Sequence, residues 1–132
     1  MKQERKLEII DSLKMCVDLK NEDLMDYFEQ LHQKGKELDK NKILKELAEF
    51  FNILGNDTRL KIIKILNQKD FCVCELEAIL DKSQSSISHH LKLLEKSGLI
   101  RGIKRGYFTH YELIRENFKE LLNFINEQLS LI

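Results

Sequence analysis

Two cysteines one residue apart, in the stretch FCVCEL at residues 71–76, are the side chains of this chain best equipped for chemistry, and a third, Cys16, stands far upstream. Cys72 and Cys74 admit three uses. As thiolates they can hold a soft, thiophilic ion such as As(III), Cd(II) or Pb(II). They can take part in redox chemistry, although a disulfide across a single residue is strained, which turns that role toward Cys16 or bonds between chains. They can also be small buried side chains with no ligand at all. In a regular helix, residues two apart point about 200° from each other. Two such sulfurs converge on one ion only if the first helical turn is distorted. Trigonal thiolate ligation needs a third sulfur, and Cys16 is the remaining candidate, from the same chain or a partner.

The second concentration of chemistry is basic. Residues 82–106 carry Lys82, Lys92, Lys96, Arg101, Lys104 and Arg105 against Glu95, a local charge of +5, while the whole chain sums to zero. Such polarisation suits a polyanion, with a solvated basic surface as the plain alternative. No phosphate-cradling glycine loop, nucleophile–base pair or isolated carboxylate pair is found, so the sequence does not read as an enzyme and no motif demands a cofactor.

The composition limits what can position these groups. With 132 residues, 42% hydrophobic and 33% charged, the chain has the make-up of a soluble globular protein. No apolar run approaches the roughly 20 residues that span a bilayer, and MKQERKLEII is too charged for a signal peptide. A cytoplasmic protein with reduced thiols and no membrane partner is expected. The odd cysteine count excludes a fully paired framework within one chain.

Most of the chain has helical periodicity. Residues 2–20 and 22–34 each read as a helix, the second with Asn21 as N-cap and Gly35 as its end or bend. Ile43, Leu47, Phe50 and Leu54 form the stripe of a helix stopped at Gly55. Asp57 or Asn56 caps the next, with Leu60, Ile63 and Leu66 inward. A short helix covers about 73–80, with Leu76, Ile79 and Leu80 inward. Asp81-Lys82 turns the chain, Ser83 caps a helix over 84–96, and Gly98 ends it.

The period then changes. Leu99–Lys104 and Tyr107–Leu113 read as strands joined by an Arg105-Gly106 turn. A last helix over 114–131 carries Ile114, Phe118, Leu121, Ile125 and Leu129 in one stripe. This order predicts a mainly α fold with a small β-hairpin wing, a winged helix-turn-helix. Residues 1–41 form a helical extension to a DNA-binding and dimerisation domain at 42–132.

Angles sort the side chains of 84–96. Ile87, Leu91 and Leu94 fall on one side and belong to a core. Ser85, His89, Lys92 and Lys96 fall opposite, with Ser86 at the edge and Gln84 and Ser88 beside them. Small hydroxyls and a histidine suit base edges and phosphates in a major groove of double-stranded DNA. His90 lies nearer the buried side and reads as structural. Lys104 and Arg105 make a basic wing tip. Phe118, Leu121, Leu122, Ile125 and Leu129 offer more apolar surface than one small core covers, which predicts a homodimer through the last helix. A module that docks its winged helix on protein is the rival reading.

The segments LAEFFNILGNDTRLKIIKIL, FCVCELEAILDKSQSSISHHLKLLEKSGLIR and GYFTHYEL resemble the ArsR family of small metal- and stress-sensing repressors over about residues 44–130. The resemblance implies a homodimer held by its first and last helices, an operator of two-fold symmetry, and release by an inducer. FCVCEL is similar to the family's arsenic- and cadmium-type sensor site. Two departures stand out. The third cysteine often found a few residues on is missing, and Glu77 lies in that stretch. Residues 114–132 lack histidine, so the last-helix zinc site is not expected. The first 40 residues exceed the family's minimal core and carry Cys16, as cadmium-type members bring thiolates from such an extension.

Overall fold

Ile87, Leu91 and Leu94 recur at the spacing of one helical face, and in the computed structural model of the protein each is at most 1% exposed. Burying such a side chain contributes about 1.5–3 kcal/mol, whereas ordinary residues differ in helix propensity by at most about 0.7 kcal/mol. Packing therefore fixes the rotation of their helix, α6 (Gln84–Lys96). Ser83 caps it, its hydroxyl accepting from the Ser86 N–H at 3.2 Å. At the other end Gly98, at φ +82°, lets the chain reverse so that the Leu99 N–H reaches the Leu94 carbonyl.

The structure describes residues 1–130. Two compact units divide the chain, Met1–Ile43 and the remainder from Leu44. The first holds α1 (Gln3–Cys16) and α2 (Asn21–Asp39), with Ile10, Leu24 and Phe28 buried. Lys6 pairs with Glu29 and lies over the Phe28 ring, 5.2 Å from its centroid. Two boundaries differ from the sequence reading. The first helix ends at Cys16, and the second runs through Gly35 to Asp39 with Lys20 in the N-cap position. Gly35 has no positive φ and no neighbour near its missing side chain, so it remains helical at a cost of about 1 kcal/mol.

After α3 (Lys42–Leu54), the second unit contains α4 (Asp57–Leu66), β1 (Phe71–Cys72), α5 (Val73–Leu80), α6, β2 (Ile100–Arg105), β3 (Phe108–Leu113) and α7 (Arg115–Leu129). Asn56, not Asp57, caps α4, accepting from the Arg59 N–H at 3.0 Å. The three strands are antiparallel in the order β1-β3-β2, a winged helix-turn-helix with one more strand than the hairpin the sequence suggests. The core joins Ile62, Leu66, Leu76, Ile87, Leu91, Leu94, Leu99, Ile100 and Leu121. Leu60 and Ile79, expected inward, are exposed: α4 turns Ile62 to the core instead, and α5 turns in Leu76, as expected, but not Ile79. Residue 131, the expected end of the last helix, lies outside the described residues. No helix among the described residues is long and apolar enough to cross a membrane.

Candidate functional site

The helix-turn-helix is set by Asp81, which ends α5 in the left-handed conformation at φ 52° and turns the chain into the Ser83 cap. With Ile87, Leu91 and Leu94 inward, Gln84, Ser85, Ser88, His89, Lys92 and Lys96 are exposed, and Ser86 is half-buried at the edge. Lys104 and Arg105 are exposed at the end of β2. Among the described residues no ion pair is found for Lys82, Lys92, Lys96 or Lys104. Arg101 instead pairs across the strands with Glu112 at 2.7 Å, and Arg105 pairs with Asp70 at 3.1 Å.

His90 is half-buried, and its Nδ1 lies 3.1 Å from Nη1 of Arg59. A guanidinium can only donate, so Nδ1 accepts and the ring is neutral. Burial first, then the charges of Arg59, His89 and Lys82, hold the His90 pKa below its ordinary value. Arg59 also donates from Nε and Nη2 to the carbonyls of Ile53 and Asn52. It thereby ties the end of α3 to α6, a role invisible in periodicity because Arg59 is itself buried.

The wing turn lies one residue later than expected. Arg105 still pairs with Phe108, and Gly106, at φ +65°, turns the chain with Tyr107. Tyr107 is 98% exposed and Phe108 55%, so the tip carries two aromatic rings beside its two cations. The GYF run after the basic residues was the available signal.

The cysteines sit differently from a regular helix start. Phe71-Cys72 is extended and pairs with β3, placing Cys72 opposite His110. Cys72 is then the N-cap of α5 in a capping-box arrangement with Glu75. The Cys72 N–H donates to Glu75 Oε1 at 3.0 Å, and the Glu75 N–H points at the Cys72 sulfur. That N–H favours the thiolate, but burial and the Glu75 carboxylate outweigh it and leave the Cys72 thiol pKa raised. Glu75 is held below the usual carboxylate range by the Cys72 N–H and thiol, with Lys69 and His110 adding to the effect.

Cys72, Glu75 and His110 are all half-buried, and one potential ligand atom from each lies within 4.8 Å of the others. Among the described residues no other such group of three is found. Cys74 is exposed in the first turn of α5 and is not part of it; Glu77 is also outside it. Cys16 is exposed at the end of α1. Asp70 Oδ2 lies 3.0 Å from His110 Nδ1, a close contact not aligned as a hydrogen bond. Glu75 and His110 escaped the sequence reading because a strand register and a cap, rather than spacing, deliver them.

The last helix divides its apolar residues. Leu121 is buried at 7% exposure, and Phe118 and Ile125 pack against the same core. Leu121 is thus turned into the chain's own core, while Phe118 and Ile125 are half-buried at its edge and keep part of their apolar surface outward. Leu122 and Leu129 remain outward, at 65% and 44% exposure.

A family model described as "Bacterial regulatory protein, arsR family" matches residues 56–101. The chain is similar to an uncharacterized HTH-type transcriptional regulator of Methanocaldococcus jannaschii, 37% identical over 81 residues, covering 61% of this chain and 91% of that protein. It is 46% identical over 66 residues to the arsenical resistance operon repressor of Escherichia coli K12, covering 49% of this chain and 56% of the repressor. Among solved structures it resembles an ArsR-like transcriptional regulator from Rhodococcus sp. RHA1, with a TM-score of 0.59 and 26% identity over 66% of this chain and 81% of that one.

Proposed function

The chain belongs to the arsR family of bacterial regulatory proteins and is a DNA-binding transcriptional regulator; on that premise we propose that it is a cytoplasmic, homodimeric repressor released from its operator by a thiophilic ion. One observation carries the DNA part. The outward face of α6 presents Ser85, His89, Lys92 and Lys96, and the wing of the same unit presents Lys104 and Arg105, while the opposite face of α6 is taken up by the core. In this reading α6 enters the major groove. Ser85 and His89 read base edges; Gln84, Ser86, Ser88, Lys92, Lys96 and the wing cations hold backbone. Residues 1–41 serve as an extension to the 42–132 DNA-binding and dimerisation domain.

The ion is taken up at the start of α5 by Cys72 and Cys74, with Cys16 as third thiolate. Arsenite is the first candidate because the E. coli relative is an arsenical resistance operon repressor; Cd(II) and Pb(II) share the preference for sulfur. The start of α5 supports the helix-turn-helix, so ligation there biases the protein away from its DNA-competent state. Near-complete switching needs roughly 10⁴-fold preference of the ion for the released state.

The test is binding to the duplex upstream of the protein's own gene and to random duplex across salt concentrations, with and without arsenite or Cd(II). Sequence-preferring, salt-dependent binding is expected, with His89→Ala and Ser85→Ala each losing about 1–3 kcal/mol of discrimination. Equal affinity for both duplexes removes the repressor reading. An operator retained at saturating arsenite and Cd(II) removes the inducer.

A further inference from the structure

The three potential ligand atoms gathered at Cys72, Glu75 and His110 arrive by separate routes. The β1–β3 register sets Cys72 opposite His110. The capping box brings the Glu75 carboxylate back over Cys72. All three side chains are half-buried, and one donor atom from each lies within 4.8 Å of the other two. We infer that Cys72, Glu75 and His110 form a site for a borderline divalent cation of the Zn(II) class, sharing only Cys72 with the thiolate set.

The donors decide the class of ion. Sulfur, imidazole nitrogen and carboxylate oxygen are the three ligand types Zn(II) accepts, whereas nitrogen and oxygen donors contribute little to capture of an ion that selects sulfur. Bonds of about 2.0–2.3 Å in a tetrahedron hold their ligand atoms about 3.5 Å apart. From within 4.8 Å, closure takes movements of about an ångström, within reach of side-chain rotation. The thiol of Cys72 gives its proton to solvent as the metal–sulfur bond forms. Glu75 ligates through one oxygen and has a second for the Cys72 N–H.

Asp70 stands outside the set with Oδ2 3.0 Å from His110 Nδ1; a small rotation of either side chain would make it the outer carboxylate of an imidazole that ligates through Nε2. Three protein ligands leave a fourth position to water. That describes an exchangeable site, not a closed structural one. The ion would also bridge the N-terminus of α5 to β3, the strand that returns from the wing, so both elements of the proposed DNA surface would feel it.

The consequence at the operator rests on the ion-responsive reading above; binding itself is measured on the free, full-length protein with Co(II) as the probe. Expected is tetrahedral Co(II) absorption with a thiolate charge-transfer band at one ion per chain. The band is lost in Cys72→Ser and kept in Cys74→Ser. Affinity falls about tenfold or more in His110→Gln and in Glu75→Gln. Glu75→Gln retains an acceptor for the Cys72 N–H, so its loss does not merely report an uncapped helix. Wild-type affinity in both variants overturns the site, as does loss of the band in Cys74→Ser, which would mark a thiolate-only site. Failure of arsenite or Cd(II) to release DNA, with the Co(II) pattern intact, counts against the proposed inducer and not against this site.

Discussion

At the scale of single residues, His90 joins α6 to α4 by accepting from Arg59, and it must be neutral to do so. Its pKa in the fold is lowered from 6.5, by burial first and then by neighbouring positive charge. The sign of the effect on stability follows. Below about 6.5 an unfolded chain takes up a proton at this residue before the folded one does, so acid favours unfolding; above that pH the term vanishes. The urea midpoint of the wild type should fall as pH drops from 6.5 through the window down to the lowered value. His90→Gln, which keeps an acceptor for Arg59 and does not titrate, should remove this part of the slope. An unchanged slope would assign the acid sensitivity to other groups. His90 was legible as a structural residue from its angle on the helix. Its partner was not, because the link to Arg59 spans 31 positions and leaves no local pattern.

At the scale of elements, what the sequence discloses is what repeats. The three buried residues of α6, the Ser83 cap and the Gly98 stop are periodic or positional signals, and all stand where the spacing puts them. Strand β1 has two residues, too few for any period, and its existence depends on β3, some forty positions away. The site around Cys72 was therefore half legible: the thiol could be named, but its neighbours depended on an unseen register. Leu60 and Ile79 were misplaced because each short helix allows more than one apolar stripe.

Asp81 is the element-scale hinge, a non-glycine residue in the left-handed region at φ 52°. Aspartate tolerates that conformation, whereas a β-branched side chain is a genuine outlier there. Asp81→Val should cost about 1–2 kcal/mol of stability, and Asp81→Gly should be neutral or stabilising. Chemical denaturation measures both. Equal stability of Asp81→Val and wild type would show that this turn does not constrain the angle between α5 and α6.

At the scale of the whole molecule, the proposed dimer must use the apolar surface its own core leaves uncovered. On α7 the most exposed apolar residues are Leu122 and Leu129. Leu122→Asp with Leu129→Asp should give a monomer by sedimentation that keeps its helical circular dichroism and loses operator affinity. A double variant that still sediments as a dimer places the contact elsewhere. Asp70 carries a last consequence for the whole molecule. Its carboxylate holds Arg105 at 3.1 Å in the free protein. With Arg105 on the DNA backbone, as proposed, this carboxylate would act as an internal decoy that a duplex must outcompete for the guanidinium. The pair is largely solvent-exposed on the arginine side, so its worth is about 0.2–1 kcal/mol. Asp70→Asn should therefore tighten binding to operator and random duplex alike by about 1.4- to fivefold, read by fluorescence anisotropy at fixed salt. Gain on the operator alone would mean that Arg105 reads sequence. With no gain on either, the wing's contact with DNA does not involve this arginine. By holding back its own wing, the chain would hold weakly to DNA in general and depend more on what α6 can read.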